Sequence, residues 1–180
     1  MSSEPKRRRA IARLAVLPLA LAASVAIAAG GSAAGVHAAG PPRCDVNDEH
    51  LTYFPAGGAA GTLFEKFRIR HRGHGKRCTL RGYAKVTLIG KHGKVLAIKV
   101  HRDHSEDVET RVLKKGHPIY FFVKHPSAEP RSGKACSTKV YRFRVLLPGH
   151  SKSYTVKGFD PIKFCQKRAR VTPFSPKASG

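Results

Sequence analysis

Four cysteines, ten histidines, and 34 Lys and Arg against 11 Asp and Glu are the residues of this 180-residue chain that could do chemistry. Cys44, Cys78, Cys136 and Cys165 could ligate a metal as thiolates or pair as disulfides. None of them stands at the short spacing of a zinc knuckle, whereas an even number of cysteines in an oxidising compartment pairs. Two disulfides are therefore expected. Of the three possible connectivities, the nested one, Cys44–Cys165 with Cys78–Cys136, is preferred because it would tie the first strand to the last.

Histidine supplies the second possibility. His71 and His74 are three apart in a glycine-rich loop, and His101 and His104 repeat that spacing beside Asp103, Glu106 and Asp107. Imidazole and carboxylate suit zinc or copper(II), so His101, His104 and Asp103 are the metal candidate, although a site needs three or four converging ligands with their own partners. Met1 is the single methionine, which excludes a thioether-based copper(I) carrier. Nucleophilic catalysis has no Gly-x-Ser-x-Gly elbow to work from, and the serines lie in turn-like surroundings. The acids Asp103, Glu106, Asp107 and Glu109 lack the apolar setting that raises one carboxyl pKa for glycoside hydrolysis. No phosphate-cradling glycine loop precedes a helix. No enzyme and no cofactor are expected.

The charge is the anomaly. A formal net charge of +23 cannot be placed in a small core, so the surface is strongly positive and the partners are anions. Nucleic acid would be held only non-specifically, through phosphates and with steep loss in salt, because no reading helix or stacking motif accompanies the charge.

The first residues read as an address. Lys6 to Arg9 form a cationic start, and Leu14 to Ala29 is an uncharged apolar run, the n-region and h-region of a signal peptide. Val36-His37-Ala38 places cleavage after Ala38, making residues 1–38 the signal and 39–43 a linker; the alternative is retention as an anchor, for which the apolar run is short of the roughly 20 residues that span a bilayer core. Pro41, Pro42 and Arg43 are not the small apolar residues a lipid-modified Cys44 would need, so no lipid anchor is expected. Removing residues 1–38 takes away five bases and one acid and leaves +19, so the charge belongs to the exported domain.

What positions these residues is a set of short strands. Thr62 to His71 alternates, with Leu63, Phe67 and Ile69 on one side and Lys66, Arg68 and Arg70 on the other. Tyr83 to Ile89 turns through Gly90-Lys91-His92-Gly93 into Lys94 to His101 as a hairpin. Pro118 to Lys124 and Val140 to Leu147 are strands, the latter alternating Tyr141, Phe143 and Val145 against Arg142 and Arg144. Val108 to Leu113, Ser153 to Val156 and Lys167 to Val171 are shorter candidates. Pro55 to Gly61 reads as a flexible loop with no periodicity, and no long segment reads as an amphipathic helix. Many short strands with turns between them predict an antiparallel immunoglobulin-like β-sandwich of seven or eight strands.

The order of motifs is familiar. Gly58-Ala59-Ala60-Gly61-Thr62 before a strand, Cys78-Thr79-Leu80-Arg81-Gly82-Tyr83, a hairpin through Gly93, a Leu113 to Gly116 step, Cys136, and a closing strand ending in Val171-Thr172-Pro173 resemble the actinobacterial domain of unknown function 4232. The resemblance implies an exported, cell-envelope, immunoglobulin-like sandwich over residues 44–174 and no known activity; the residues after it, 175–180, read as a disordered tail. His71, Ala84 and the excess of base depart from the usual pattern. In the Cys78 to Tyr83 string Cys78 crosslinks, Leu80 packs, Gly82 permits a turn and Tyr83 buries its ring with a partner for its hydroxyl.

The expectation is a monomeric, non-catalytic, secreted or envelope-associated binding module. Its polyanion-binding residues are Lys66, Arg68, Arg70, Arg142 and Arg144, and the basic residues Arg168 and Arg170 also fall on outward positions. Its partners are anionic envelope polymers such as teichoic acids, or anionic lipid headgroups, with no small-molecule substrate. The alternative is a metal-binding or metal-dependent protein using the His101/His104 cluster.

Overall fold

A computed structural model describes residues 40–73, 76–127 and 136–178, with the side chain of Ala56 left aside. Residues 1–38, expected from the sequence to be a signal peptide, and His74 lie outside the described residues. The described residues form an all-β sandwich, as expected.

Its larger sheet has the order β1-β2-β7-β12-β5, formed by β1 (Glu49–Ala59), β2 (Thr62–His71), β7 (Ile119–Pro126), β12 (Arg168–Val171) and β5 (Lys99–Arg102). The facing layer holds a three-stranded sheet of β10 (Tyr154–Val156), β9 (Arg142–Leu146) and β4 (Lys85–Ile89), and the two-stranded pair of β11 (Ile162–Phe164) with β8 (Thr138–Val140). A second pair joins β3 (Cys78–Arg81) to β6 (Thr110–Leu113). Among the described residues twelve strands stand where seven or eight were expected. Among the named strands pairing is antiparallel except between β12 and β5, and the isolated bridge of Arg43 to Thr79 is also parallel.

The two main sheets close on an aromatic core. Phe67 stacks on Phe121 at 4.8 Å between centroids and meets Phe143 of the facing sheet edge-on at 5.2 Å, and all three are fully buried. Such pairs add about 0.5–1.5 kcal/mol each beyond the area they remove from water. Val86, Leu88 and Val145 enter the same core from β4 and β9.

Several sequence expectations change. Pro55 to Gly61 is not a loop: β1 runs through it with a bulge between Ala56 and Gly58. Pro55 has no N–H to give, and β1 is an edge strand, where that loss is tolerated. The hairpin closes at Ala60-Gly61, both at positive φ (46° and 78°), as a two-residue connection matched to strand twist requires. Past the 90–93 turn, Val95 and Leu96 still pair back onto Ile89 and Leu88, but Lys99 to Arg102 leaves the hairpin and joins the other sheet beside β12.

The segment taken as a linker is also structured, since Thr79 N–H donates to the Pro42 carbonyl (2.8 Å) and Cys44 N–H to that of Thr79 (3.1 Å). The tail is docked at its start: Phe174 is 1% exposed, and Ser175 exchanges two backbone hydrogen bonds with Tyr120 (2.7 and 2.8 Å).

The nested disulfides are wrong. Cys44 pairs with Cys78 and Cys136 with Cys165. The 42–44 segment lies beside β3, bringing the Cα atoms of Cys44 and Cys78 to 4.8 Å, and β8 pairs with β11, bringing those of Cys136 and Cys165 to 4.1 Å. Each bond staples a segment to its own sheet neighbour rather than the first strand to the last.

Candidate polyanion interface

Alternation on the five-stranded sheet decides which side chains face water. Tyr53, Phe67, Ile69, Phe121, Val123, Ala169 and Val171 join or pack against the core, so the intervening positions form the outer face. There β2 presents Phe64, Lys66, Arg68 and Arg70. In register beside them stand Phe54, Thr52 and His50 on β1 and Lys124, Phe122 and Tyr120 on β7. Lys124 is opposite Arg170 of β12, Arg170 is opposite His101 of β5, and Arg168 is opposite Lys99. Cations therefore run diagonally from Arg70 through Arg68, Lys66 and Lys124 to Arg170, a track of about 20 Å by strand rise and spacing.

Aromatic rings lie between these charges. The Arg68 guanidinium is 4.3 Å from the Phe54 ring centre, Lys66 is 5.9 Å from the same ring, and Lys124 is 5.8 Å from Phe64. The rings hold the long stems flat by cation–π attraction and apolar contact. Arg68 Nε is buried without a hydrogen-bond partner among the described residues.

Like charges directly across a ladder destabilise it, and Lys124 with Arg170 and Lys99 with Arg168 are such pairs. One of the four has a carboxylate partner: Lys124 Nζ is 3.2 Å from Asp103 and 4.0 Å from Glu106. Burial pushes the Asp103 carboxyl up, but hydrogen bonds from the Ser105 hydroxyl and amide together with the Lys124 ammonium outweigh it and hold the group below the usual carboxylate range.

Each end of the track opens into a cleft. The larger, of about 730 Å³, is lined by His101, Lys124, Arg168 and Arg170 among others. The smaller, of about 400 Å³, is lined by His50, Arg70, His71, Arg72, Lys114 and His117.

The structure divides the polyanion-binding residues named from sequence. Lys66, Arg68 and Arg70 share the face just described, and Arg168 and Arg170 join it. Arg142 and Arg144 lie on β9 in the facing layer, where Arg144 stands between Thr87 and Thr155. They alternate with Phe143, which packs inward on Phe67, so they point away from the other group. One convergent patch of all five does not form.

The metal candidates do not converge either. The Asp103 carboxylate is committed to Lys124 and Ser105, and the His104 ring packs edge-on against Tyr83 at 5.8 Å. Among the described residues no three His, Cys, Asp or Glu side chains gather as metal ligands. The Cys78 to Tyr83 string is scaffold: Cys78 is disulfide-bonded, Leu80 is buried, Gly82 has φ 102°, and the Tyr83 hydroxyl donates to the Asp103 carbonyl at 3.0 Å.

Two buried Tyr–Glu–His clusters escaped the sequence reading. In one, Glu65 accepts from the Tyr53 hydroxyl, and His125 Nε2 lies 3.1 Å from its other oxygen. In the other, Glu49 accepts from the Tyr154 hydroxyl at 3.0 Å, and His150 Nε2 lies 3.0 Å away but out of line for a hydrogen bond. Burial, reinforced by the neighbouring carboxylate, pushes both phenols well above their ordinary range, so they stay protonated donors. Parity could have revealed the first cluster: Glu65 shares its side with Phe67 and Ile69, and His125 shares its side with Phe121 and Val123.

The fold and its surface define a disulfide-stapled, exclusively β module with a cationic sheet face. The family model for domain of unknown function 4232 (DUF4232) matches residues 44–175, and the chain belongs to that family. No curated protein and no solved structure matches it.

Proposed function

We propose that the protein is an exported, non-catalytic binding module of the cell envelope that holds a linear anionic polymer along the outer face of the five-stranded sheet. The two disulfides indicate an extracytoplasmic setting, and the basic apolar start of the chain supplies the export signal. The observation that carries the reading is the register of the track. Arg70, Arg68, Lys66, Lys124 and Arg170 line up across three neighbouring strands, while Glu65, on the same strand as three of them, is turned into the core. Arginine forks suit phosphate and carboxylate groups, and the elongated shape suits a chain rather than a compact ligand.

Binding to teichoic acid, anionic vesicles and duplex DNA, each followed across a salt series, tests it. Saturable binding to teichoic acid that survives about 150 mM salt, where the Debye length is about 8 Å, is expected. The combined R168E/R170E substitution should weaken binding and flatten the salt dependence by about one unit of slope per lost contact. Equal, weak binding to all three polyanions that vanishes with salt would overturn the proposal.

A further inference from the structure

We infer that the protein is divalent and bridges two separate strands of a linear phosphodiester polymer, an inference that rests on the polyanion reading above. Three Arg-x-Arg pairs occupy strands, with the central residue of each buried: Arg68-Ile69-Arg70, Arg142-Phe143-Arg144 and Arg168-Ala169-Arg170. In each, the two guanidinium groups leave the same side of one strand at positions about 6.6 Å apart. Two pairs lie on the outer face of the five-stranded sheet, and the third lies on the outer face of the other layer.

The second face has further positive charge. Lys139 and Lys163 stand directly opposite one another across β8 and β11, both exposed, while their neighbours Val140 and Phe164 are buried. Lys85 is exposed on β4, on the side opposite buried Val86. Like charges so placed weaken the ladder unless an anion screens them, and a polymer on this face would do so. Arginine rather than lysine at the paired positions suits the two free oxygens of a phosphodiester, which a guanidinium fork meets with two parallel hydrogen bonds.

Between the two cationic faces lie both sheets and the Phe67–Phe143 contact. Packed sheets are about 10 Å apart before outward side chains are counted. The two faces therefore offer separate sets of contacts, and a thin chain extended along one does not reach the other. Two separate cationic faces on one rigid body make a crosslinker.

The experiment titrates purified poly(glycerol phosphate) with the protein, following light scattering for bridging and polarisation of labelled polymer for binding. Bridging gives a scattering maximum at an intermediate ratio that disappears in excess polymer, as every protein then occupies a single strand. The R142E/R144E variant should bind but lose the maximum. The K91E/K94E variant, with the same change of charge at the 90–93 turn, should keep it; both are checked for a native thermal transition. If R142E/R144E keeps the maximum, or if the parent binds and never shows one, divalency is wrong while the binding face stands. Absence of any binding by the parent would remove the polyanion reading itself.

Discussion

The imidazole of His125 lies nearly flat on the ring of Phe164, with 3.8 Å between centroids and 17° between planes, and its Nε2 is 3.1 Å from the Glu65 carboxylate. A polar edge of the inner sheet face is thereby sealed by β11 of the facing layer. Removing the imidazole leaves Glu65 buried with the Tyr53 hydroxyl alone. His125→Ala should cost about 3–5 kcal/mol, because the cavity left by the ring and the lost contact with Phe164 are added to a buried carboxyl that has lost one hydrogen-bond partner. Tyr53→Phe should cost about 1–3 kcal/mol for one acceptor left short of a donor. Urea unfolding measures both, and costs near zero would mean that the cluster contributes nothing to the core.

Glu49 gives a pH signature of definite sign. Burial raises its pKa above the ordinary 4.5, against the opposing pull of His150 and the Tyr154 hydroxyl. The folded chain therefore binds this proton more tightly than the unfolded chain. Its contribution is best at low pH and is lost as pH rises from about 4.5 through the raised value. Glu49→Gln keeps an acceptor for Tyr154 and removes the buried charge. The variant should melt a few degrees above the parent at pH 7, with the gap closing towards pH 4. A variant less stable at pH 7 would show that attraction to His150 outweighs burial.

The disulfides make local loops. Cleavage of the unreduced protein between Cys78 and Cys136 should separate two fragments, each holding an intact bond, whereas nested bonds would keep them joined. Replacing Cys44 and Cys78 together by Ala should cost about 4 kcal/mol in the chain-entropy model for a 34-residue separation.

The end of the chain is part of the core. Phe174 meets Phe121 edge-on at 5.9 Å beneath the Ser175–Tyr120 bridge. Phe174→Ala should lose about 3–5 kcal/mol. Truncation after Thr172 should lose at least as much, read by thermal melting; an unchanged transition would show that the segment is dispensable.

How much of this was legible follows from the range of each interaction. Alternation is a local property, and it correctly turned Lys66, Arg68 and Arg70 outward and Phe67 and Ile69 inward. Applied to the same strand it would also have turned Glu65 inward, where the sheet buries it. The β1 extension was hidden because Pro55 and the glycines read as breakers, and only an edge position makes Pro55 tolerable. The departure of Lys99 to Arg102 from its hairpin was hidden because turn residues specify where a chain reverses, not how far the returning strand keeps its partner.

By itself the sequence determined an all-β chain, four cysteines in two bonds, a strongly basic surface and arginines on the wet side of their strands, because period two, residue type and charge are readable within a few residues. Only the tertiary structure decided which strands are neighbours. That decision paired Cys44 with Cys78, set Arg168 and Arg170 beside Lys124, carried Arg142 and Arg144 to the opposite face and brought His125 to Glu65. Each joins residues far apart in the chain, and what brings them together is the packing of two sheets around Phe67, Phe121 and Phe143, which no local pattern encodes.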